Sequence, residues 1–186
     1  VIQVAHLSLP KVGETANGDR PIFREDDAGR VLLAVIDSLG HGPGAAAVSD
    51  LAARCLDAIS LELSLLQIME KLHAALGGSR GAAGTVCLIR KGVIEVCAVG
   101  NVEMRCDVRI PLIFSAGVLG SRVARFHICQ AAMKARARLV LFSDGISPRT
   151  PLDDVRGLAP QAACDAIMRG HRRKEDDATV LVADVE

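Results

Sequence analysis

Four aspartates, Asp19, Asp37, Asp144 and Asp176, stand at the ends of apolar segments, where a folded chain turns and exposes its backbone. Asp37 follows the run Val31-Leu32-Leu33-Ala34-Val35-Ile36 and opens the glycine-rich turn Ser38-Leu39-Gly40-His41-Gly42-Pro43-Gly44. Asp144 follows Arg138-Leu139-Val140-Leu141-Phe142-Ser143, Asp176 comes just before the apolar segment that starts at Ala178, and Asp19 closes the turn-forming Asn17-Gly18-Asp19. Carboxylates gathered without matching Lys or Arg repel one another, and bound divalent cations or raised pKa values relieve that cost. Oxygen-only donors favour hard ions, Mg²⁺ or Mn²⁺, over zinc or copper. Any one of these residues alone reads as a turn cap, a common use of Asp. Four of them in matching strand-end contexts read as one acidic site.

The elements that must position these acids follow from periodicity. Six consecutive aliphatic residues before Asp37 suit a strand buried on both faces. Val1 to Leu9 reads as a first strand, and Arg20 to Arg24 as a second that returns through Asp26-Asp27-Ala28-Gly29 into the Asp37 strand. A helix starts near Pro43, with Val48, Leu51, Ala52, Cys55, Leu56, Ile59 and Leu63 at helical spacing. Ser64-Leu65-Leu66-Gln67 is a capping box that opens a second helix, stopped at Gly77-Gly78. Thr85 to Ile89 and Val93 to Val99 form a hairpin about Lys91-Gly92. Extended pieces at Glu103 to Val108, Ile110 to Ser115, Arg125 to Ala131 and Arg138 to Phe142 follow. A last helix runs from Pro160 to Gly170, and a closing strand covers Ala178 to Val185.

Paired helices and hairpin-joined strands argue for an α+β fold with antiparallel sheets in a single domain, residues 1–186. In an antiparallel sheet the end of one strand lies beside the start of its neighbour, so acids that follow one strand and precede the next can converge at one rim.

Composition narrows the function. Lys plus Arg and Asp plus Glu both total 22, so the chain has no basic field for nucleic acid. Four Phe and no Tyr or Trp leave no aromatic platform for bases. No apolar run has the length of a membrane span, and Val1-Ile2-Gln3-Val4 is unlike a signal peptide, so the expected location is cytoplasmic. The six cysteines are scattered singly and read as small core residues rather than zinc ligands.

Asn17-Gly18-Asp19, Val35-Ile36-Asp37-Ser38-Leu39-Gly40-His41-Gly42, Leu141-Phe142-Ser143-Asp144-Gly145 and Glu175-Asp176-Asp177-Ala178-Thr179-Val180 resemble, in order, the acidic motifs of the metal-dependent type 2C (PPM) protein serine/threonine phosphatases, in the compact SpoIIE and RsbX group. Gly84-Thr85 and Val99-Gly100-Asn101 are similar to that group's central hairpin. RsbX-type stressosome phosphatases are the closer likeness. The resemblance implies a four-layer α/β/β/α sandwich, two antiparallel sheets flanked by helix pairs, with two Mn²⁺ or Mg²⁺ ions at one end. It implies that Asp37 bridges both ions, that Asp144 and Asp176 hold one, and that Asp19 acts on the other directly or through water. The backbone carbonyl of Ser38 would stand where the family usually has Gly, a residue that reaches positive φ more cheaply. Asp176 rather than Asp177 matches the family's metal-binding acid.

Such a pair of ions activates a water for in-line attack on phosphorus. The implied substrate is phosphoserine or phosphothreonine on a STAS-domain protein of a bacterial stress-signalling complex. Selectivity is expected from the region Gly117 to Arg125 and from the loop His171-Arg172-Arg173-Lys174. Leu39 occupies the place where some relatives carry a candidate general acid, and His41 lies two residues further on. Arg20, next to Asp19, is the candidate phosphate-binding arginine.

Other readings are weaker. Gly40-His41-Gly42-Pro43-Gly44-Ala45 fits the dinucleotide fingerprint G-x-G-x-x-A, but no second βα unit follows, and Glu62, at the spacing of the ribose-binding acid, falls in helical sequence. Asp37-Ser38-Leu39 lacks the second Asp of a haloacid-type nucleophile motif. The alternative that keeps every acid is a catalytically silent PPM-like module that binds a signalling partner.

Overall fold

The computed structural model describes residues 2–133, 136–151 and 153–185. In chain order the strands are β1 (Ile2–Leu9), β2 (Asp19–Glu25), β3 (Val31–Ser38), β4 (Ala82–Arg90), β5 (Val93–Val99), β6 (Glu103–Cys106), β7 (Phe114–Ser115), β8 (Gly117–Val118), β9 (Arg122–Val123), β10 (Cys129–Ala132), β11 (Ala137–Phe142) and β12 (Ala178–Val185). The helices are α1 (Pro43–Ala58), α2 (Leu65–Ala75) and α3 (Pro160–His171). Val1, expected to open the first strand, lies outside the described residues.

Sheet one has the order β1-β12-β11-β6, and sheet two the order β10-β5-β4-β3-β2. Every pairing along these two paths is antiparallel; the short β7 adds to β5 in parallel. The expected α+β sandwich of two sheets is therefore present.

Strand alternation explains the layers. On β3, Leu32, Ala34 and Ile36 pack with α1 and α2 residues such as Leu56, Ile68 and Leu72. Val31, Leu33 and Val35 face the other way, against Leu139, Leu141, Leu181 and Ala183 of sheet one. The uninterrupted apolar run is thus a strand buried on both faces. The outer face of sheet one, through Val140, Phe142, Val180 and Val182, covers α3 residues Ala163, Cys164 and Ile167. Among the described residues that layer holds α3 and a short 3-10 turn at Asp153–Val155, where the family likeness implied a pair of helices.

Several local expectations shift. The helix expected to run through Leu63 ends at Ala58, with Ile59 extended, yet Ile59, Leu61 and Leu63 still pack on the same core. Helical spacing and core burial coincide there without a helix. The strand expected over Ile110 to Ser115 shortens to β7, since Pro111 offers no N–H to a ladder. The capping box at Ser64 and Gln67 forms as expected, with both reciprocal bonds.

Two close approaches lock the strand ends together. A Cβ on Gly18 would meet Ala45 Cβ at 2.7 Å and Asp177 Oδ2 at 2.9 Å. A Cβ on Gly145 would stand 1.8 Å from the Asp177 carbonyl oxygen. Gly145→Ala is therefore expected to force the loop after β11 away from the start of β12, at a cost of about 1–3 kcal/mol. Urea denaturation reads this as a lower midpoint at unchanged slope.

Candidate metal centre

The odd-numbered residues of β3, β11 and β12 fill the space between the sheets. At one end that apolar layer gives way to polar groups, because the next residues of the same parity are Asp37, Ser143 and Thr179. Asp19 joins them by register, since it lies directly opposite Asp37 in the β2–β3 pair. Like charges directly opposite on a sheet destabilise it, so this pairing needs compensation.

Part of that compensation is hydrogen bonding across the sheets. Ser143 Oγ donates to Asp19 Oδ2 at 2.5 Å and accepts from Thr179 N at 3.0 Å. Asn17 Oδ1 accepts from Asp19 N at 2.9 Å, and Asn17 Nδ2 donates to Ser8 Oγ at 2.8 Å. Asp19 is only 1% exposed, and its Oδ1 is buried with no partner. Burial holds the Asp19 carboxyl well above the usual carboxylate range despite the Ser143 and Thr179 bonds, with the charges of Asp177 and Asp144 adding to the rise. Asp37 is raised as well, by burial first and then by Asp19, Asp144, Asp176 and Asp177.

Asp144, one residue beyond Ser143, accepts from Asn101 Nδ2 at 2.6 Å. Its pKa is raised by burial and by Asp176, while Arg173 and hydrogen bonding to Asp37 and Asn101 act the other way. Arg173 is pinned there: its N donates to Gly145 O at 2.7 Å and its Nη1 to Asp144 O at 3.2 Å.

The neighbouring acids Asp176 and Asp177 divide their tasks. Asp177 is buried and takes N–H bonds from Lys11 at Oδ1 and Gly18 at Oδ2, both at 2.7 Å, so its oxygens tie down the ends of the first loop. Asp176 is half-buried and accepts one bond, from Asp177 N at 2.9 Å. Asp177 is thus held by two backbone donors from the first loop, and Asp176 by one from its own neighbour.

Ser38 ends β3 with its N bonded to Gly18 O at 3.0 Å, and its Oγ is buried without a partner. Among the described residues Lys91 is the one non-glycine position at positive φ, so Ser38 sits in ordinary extended backbone. His41 has both ring nitrogens engaged, Nδ1 with Glu14 Oε1 at 2.9 Å and Nε2 with Lys11 Nζ at 3.2 Å. Arg20 does not face the acids. Strand alternation turns it to the opposite face from Asp19, where it pairs with Asp50 on α1.

Asn101, Ser143 and Thr179 were not singled out for these roles from sequence. The signal was adjacency: Ser143 precedes Asp144, Thr179 shares its parity at the facing strand end, and Asn101 follows the β5 strand.

Among the described residues, no three His, Cys, Asp or Glu side chains are drawn into a finished cage. The donor set nonetheless fits a hard divalent cation. It is all oxygen, it contains a buried carboxylate oxygen with no partner, and burial together with neighbouring acids raises the pKa values of Asp19, Asp37 and Asp144.

The model of the family described as Stage II sporulation protein E (SpoIIE) matches residues 27–186. The chain belongs to the SpoIIE family. No curated protein matches it. Among solved structures, a chain from "The bacterial stressosome: a modular system that has been adapted to control secondary messenger signaling" superposes with TM-score 0.91 at 26% identity, covering 98% of this chain and 99% of that one. RsbX in complex with magnesium gives TM-score 0.86 at 21% identity, covering 100% and 96%. The catalytic domain of the serine/threonine phosphatase PstP with two manganese ions gives 0.76 at 18%, covering 100% and 99%. This SpoIIE-family chain thus has the fold of the PPM serine/threonine phosphatases.

The electrostatics make a prediction that needs no bound ion. A carboxyl whose folded pKa is raised costs stability once pH exceeds its unfolded value near 4, and the cost grows until pH passes the raised value. Asp37→Asn should therefore raise the thermal midpoint of the chelator-treated protein. The gain should widen as pH rises from about 5 to about 8. Thermal denaturation of parent and variant across that range checks it, and a loss of stability on substitution at high pH contradicts it.

Proposed function

We propose that this chain is a divalent-cation-dependent protein phosphatase acting on phosphoserine or phosphothreonine of a STAS-domain signalling protein. The observation that carries the reading is the meeting of four acids from four strand ends, Asp19 opposite Asp37 with Asp144 and Asp176 beside them, in a SpoIIE-family chain. The magnesium and manganese in the RsbX and PstP structures support the choice of ion. The stressosome and RsbX likenesses support the choice of substrate.

In this reading Asp37, Asp144 and Asp176 would hold the cations, with Asp19 serving directly or through water, and the Ser38 carbonyl would be a further donor. When bound, such cations supply activation of a water and neutralisation of phosphoryl charge. The chain's own contribution is positional. Ser143 fixes one oxygen of Asp19 and leaves the other free, while Asn101 fixes one oxygen of Asp144. The Arg173 guanidinium keeps positive charge beside the rim, where a phosphate dianion must arrive.

Asp37→Asn and Asp144→Asn are each expected to reduce Mn²⁺-dependent hydrolysis of p-nitrophenyl phosphate to background while the circular-dichroism spectrum is retained. A fully active Asp37→Asn protein rules the assignment out. Asn101→Ala, which frees Asp144 without removing it, is expected to weaken the apparent Mn²⁺ affinity by about 10-fold or more. For the substrate, phosphate release is followed from phosphorylated STAS-domain proteins and from unrelated phosphoproteins. Faster release from the first set is the expected result, and equal rates leave a phosphatase of other purpose.

A further inference from the structure

Beside the acidic rim lies a segment whose charge and apolar exposure the catalytic reading leaves unused. From Val108 to Ser143 the sequence contains no Asp or Glu, whereas Arg109, Arg122 and Arg125 fall in its first half. All three arginines are exposed, and among the described residues none of them pairs with a carboxylate. Ile113 and Phe114 are 55% and 44% exposed. A hollow of about 390 Å³ opens between Ala116, Gly117, Val118, Ala124 and Arg122.

This surface is fastened to the rim at two points. Leu119 bridges Ala82, which is the register partner of Ser38, and Leu39 N donates to Gly81 O at 3.1 Å. On the other side Gly100 N donates to Ser115 O at 3.2 Å, one residue from the Asn101 that holds Asp144. Arg80, next to Gly81, holds the same turn, its Nη1 donating to Leu39 O at 3.2 Å. The hairpin itself is tight: a Cβ on Gly117 would stand 2.2 Å from Arg122 O, and one on Gly81 would stand 2.5 Å from Val118 Cγ1. The surface is formed before any partner arrives.

We infer that the segment from Ile113 to Arg125, together with Arg80, docks the substrate protein through an acidic surface that carries apolar side chains next to the phosphorylated residue. The inference rests on the phosphatase reading and names what its substrate must look like. The carboxylates of the rim offer an acidic chain nothing to pair with, whereas Arg80, Arg122 and Arg125 stand on segments bonded to the strand ends beside the rim. Rim charges of this kind set encounter rate, salt dependence and the choice among partners.

The test is a fluorescence-anisotropy titration of the full chain with two labelled peptides of equal length. Each carries a non-hydrolysable phosphonate analogue of phosphoserine and two Leu; one is flanked by Asp and Glu, the other by Lys and Arg. The acidic peptide is expected to bind roughly tenfold more tightly at low salt, with the difference shrinking at high salt. Arg122→Glu combined with Arg125→Glu should abolish or reverse the preference, and Phe114→Ser should weaken the acidic peptide. Arg122→Gln, a mild change at an exposed hairpin position, should narrow the preference severalfold and serves if the double variant fails to fold. Equal affinity of the parent for both peptides, or a preference that survives these substitutions, overturns the inference. Turnover of p-nitrophenyl phosphate, which has no flanking chain, tests the phosphatase reading alone, so the two failures are told apart.

Discussion

The structure depends on a repulsion it does not remove. Asp19 and Asp37 face each other across a strand pair of sheet two, and Asp144 and Asp176 close on them from sheet one. In isolation that arrangement would push the strand ends apart. The opposing forces are distributed: the full-length β2–β3–β4 ladder holds two of the acids, and the β11–β12 ladder holds the loops that carry the others. Ser143, reaching from sheet one to Asp19 on sheet two, is where the two sheets meet in a polar contact rather than an apolar one. A buried core rich in Val, Leu, Ile and Ala between the sheets makes the repulsive end affordable.

How much of this could be read in the sequence follows from how local each signal is. The strand before Asp37 was legible because burial on both faces leaves an unbroken aliphatic run, and β3 does send alternate residues to the helices and to the other sheet. The convergence of the acids was legible because strand ends and strand starts are neighbours in antiparallel sheets. Arg20 shows the limit. Adjacency to Asp19 suggested a shared site, but period-two alternation sends neighbours to opposite faces, and Arg20 meets Asp50 on α1 instead. The stretch from Ile110 to Ala131 was the least legible, since strands of two residues have no period to detect and Pro111 breaks the extended run.

Asp176 and Asp177 illustrate a different limit. The two are chemically identical in the sequence and differ only in what reaches them. Asp177 receives two backbone N–H groups from the first loop, so its charge is spent on fixing Lys11 and Gly18 in place. A carboxylate that organises backbone in this way is a poor candidate for exchange with a ligand, because displacing it would orphan two backbone donors, that of Gly18 fully buried. Asp176 has no such duty. The resemblance implies Asp176 as the metal-binding acid, and the hydrogen bonds show which of the two carboxylates fixes backbone.

The division between rim and flank also explains why chemistry and selectivity need not share residues. On the proposed reading, acids at the rim would ask only for a phosphate dianion, a feature common to every phosphomonoester. Discrimination must come from surface that touches the rest of the partner, and it must not add negative charge where the site is already overloaded. The β7–β9 segment meets both demands: it is free of acids through its whole length, and its backbone is bonded to the residues that carry Ser38 and Asn101. A partner seated on it would press on the same backbone that positions the acids. Recognition at the flank and geometry at the rim are therefore linked through two short hydrogen-bonded paths, one through Leu119 and Ala82 and the other through Ser115 and Gly100.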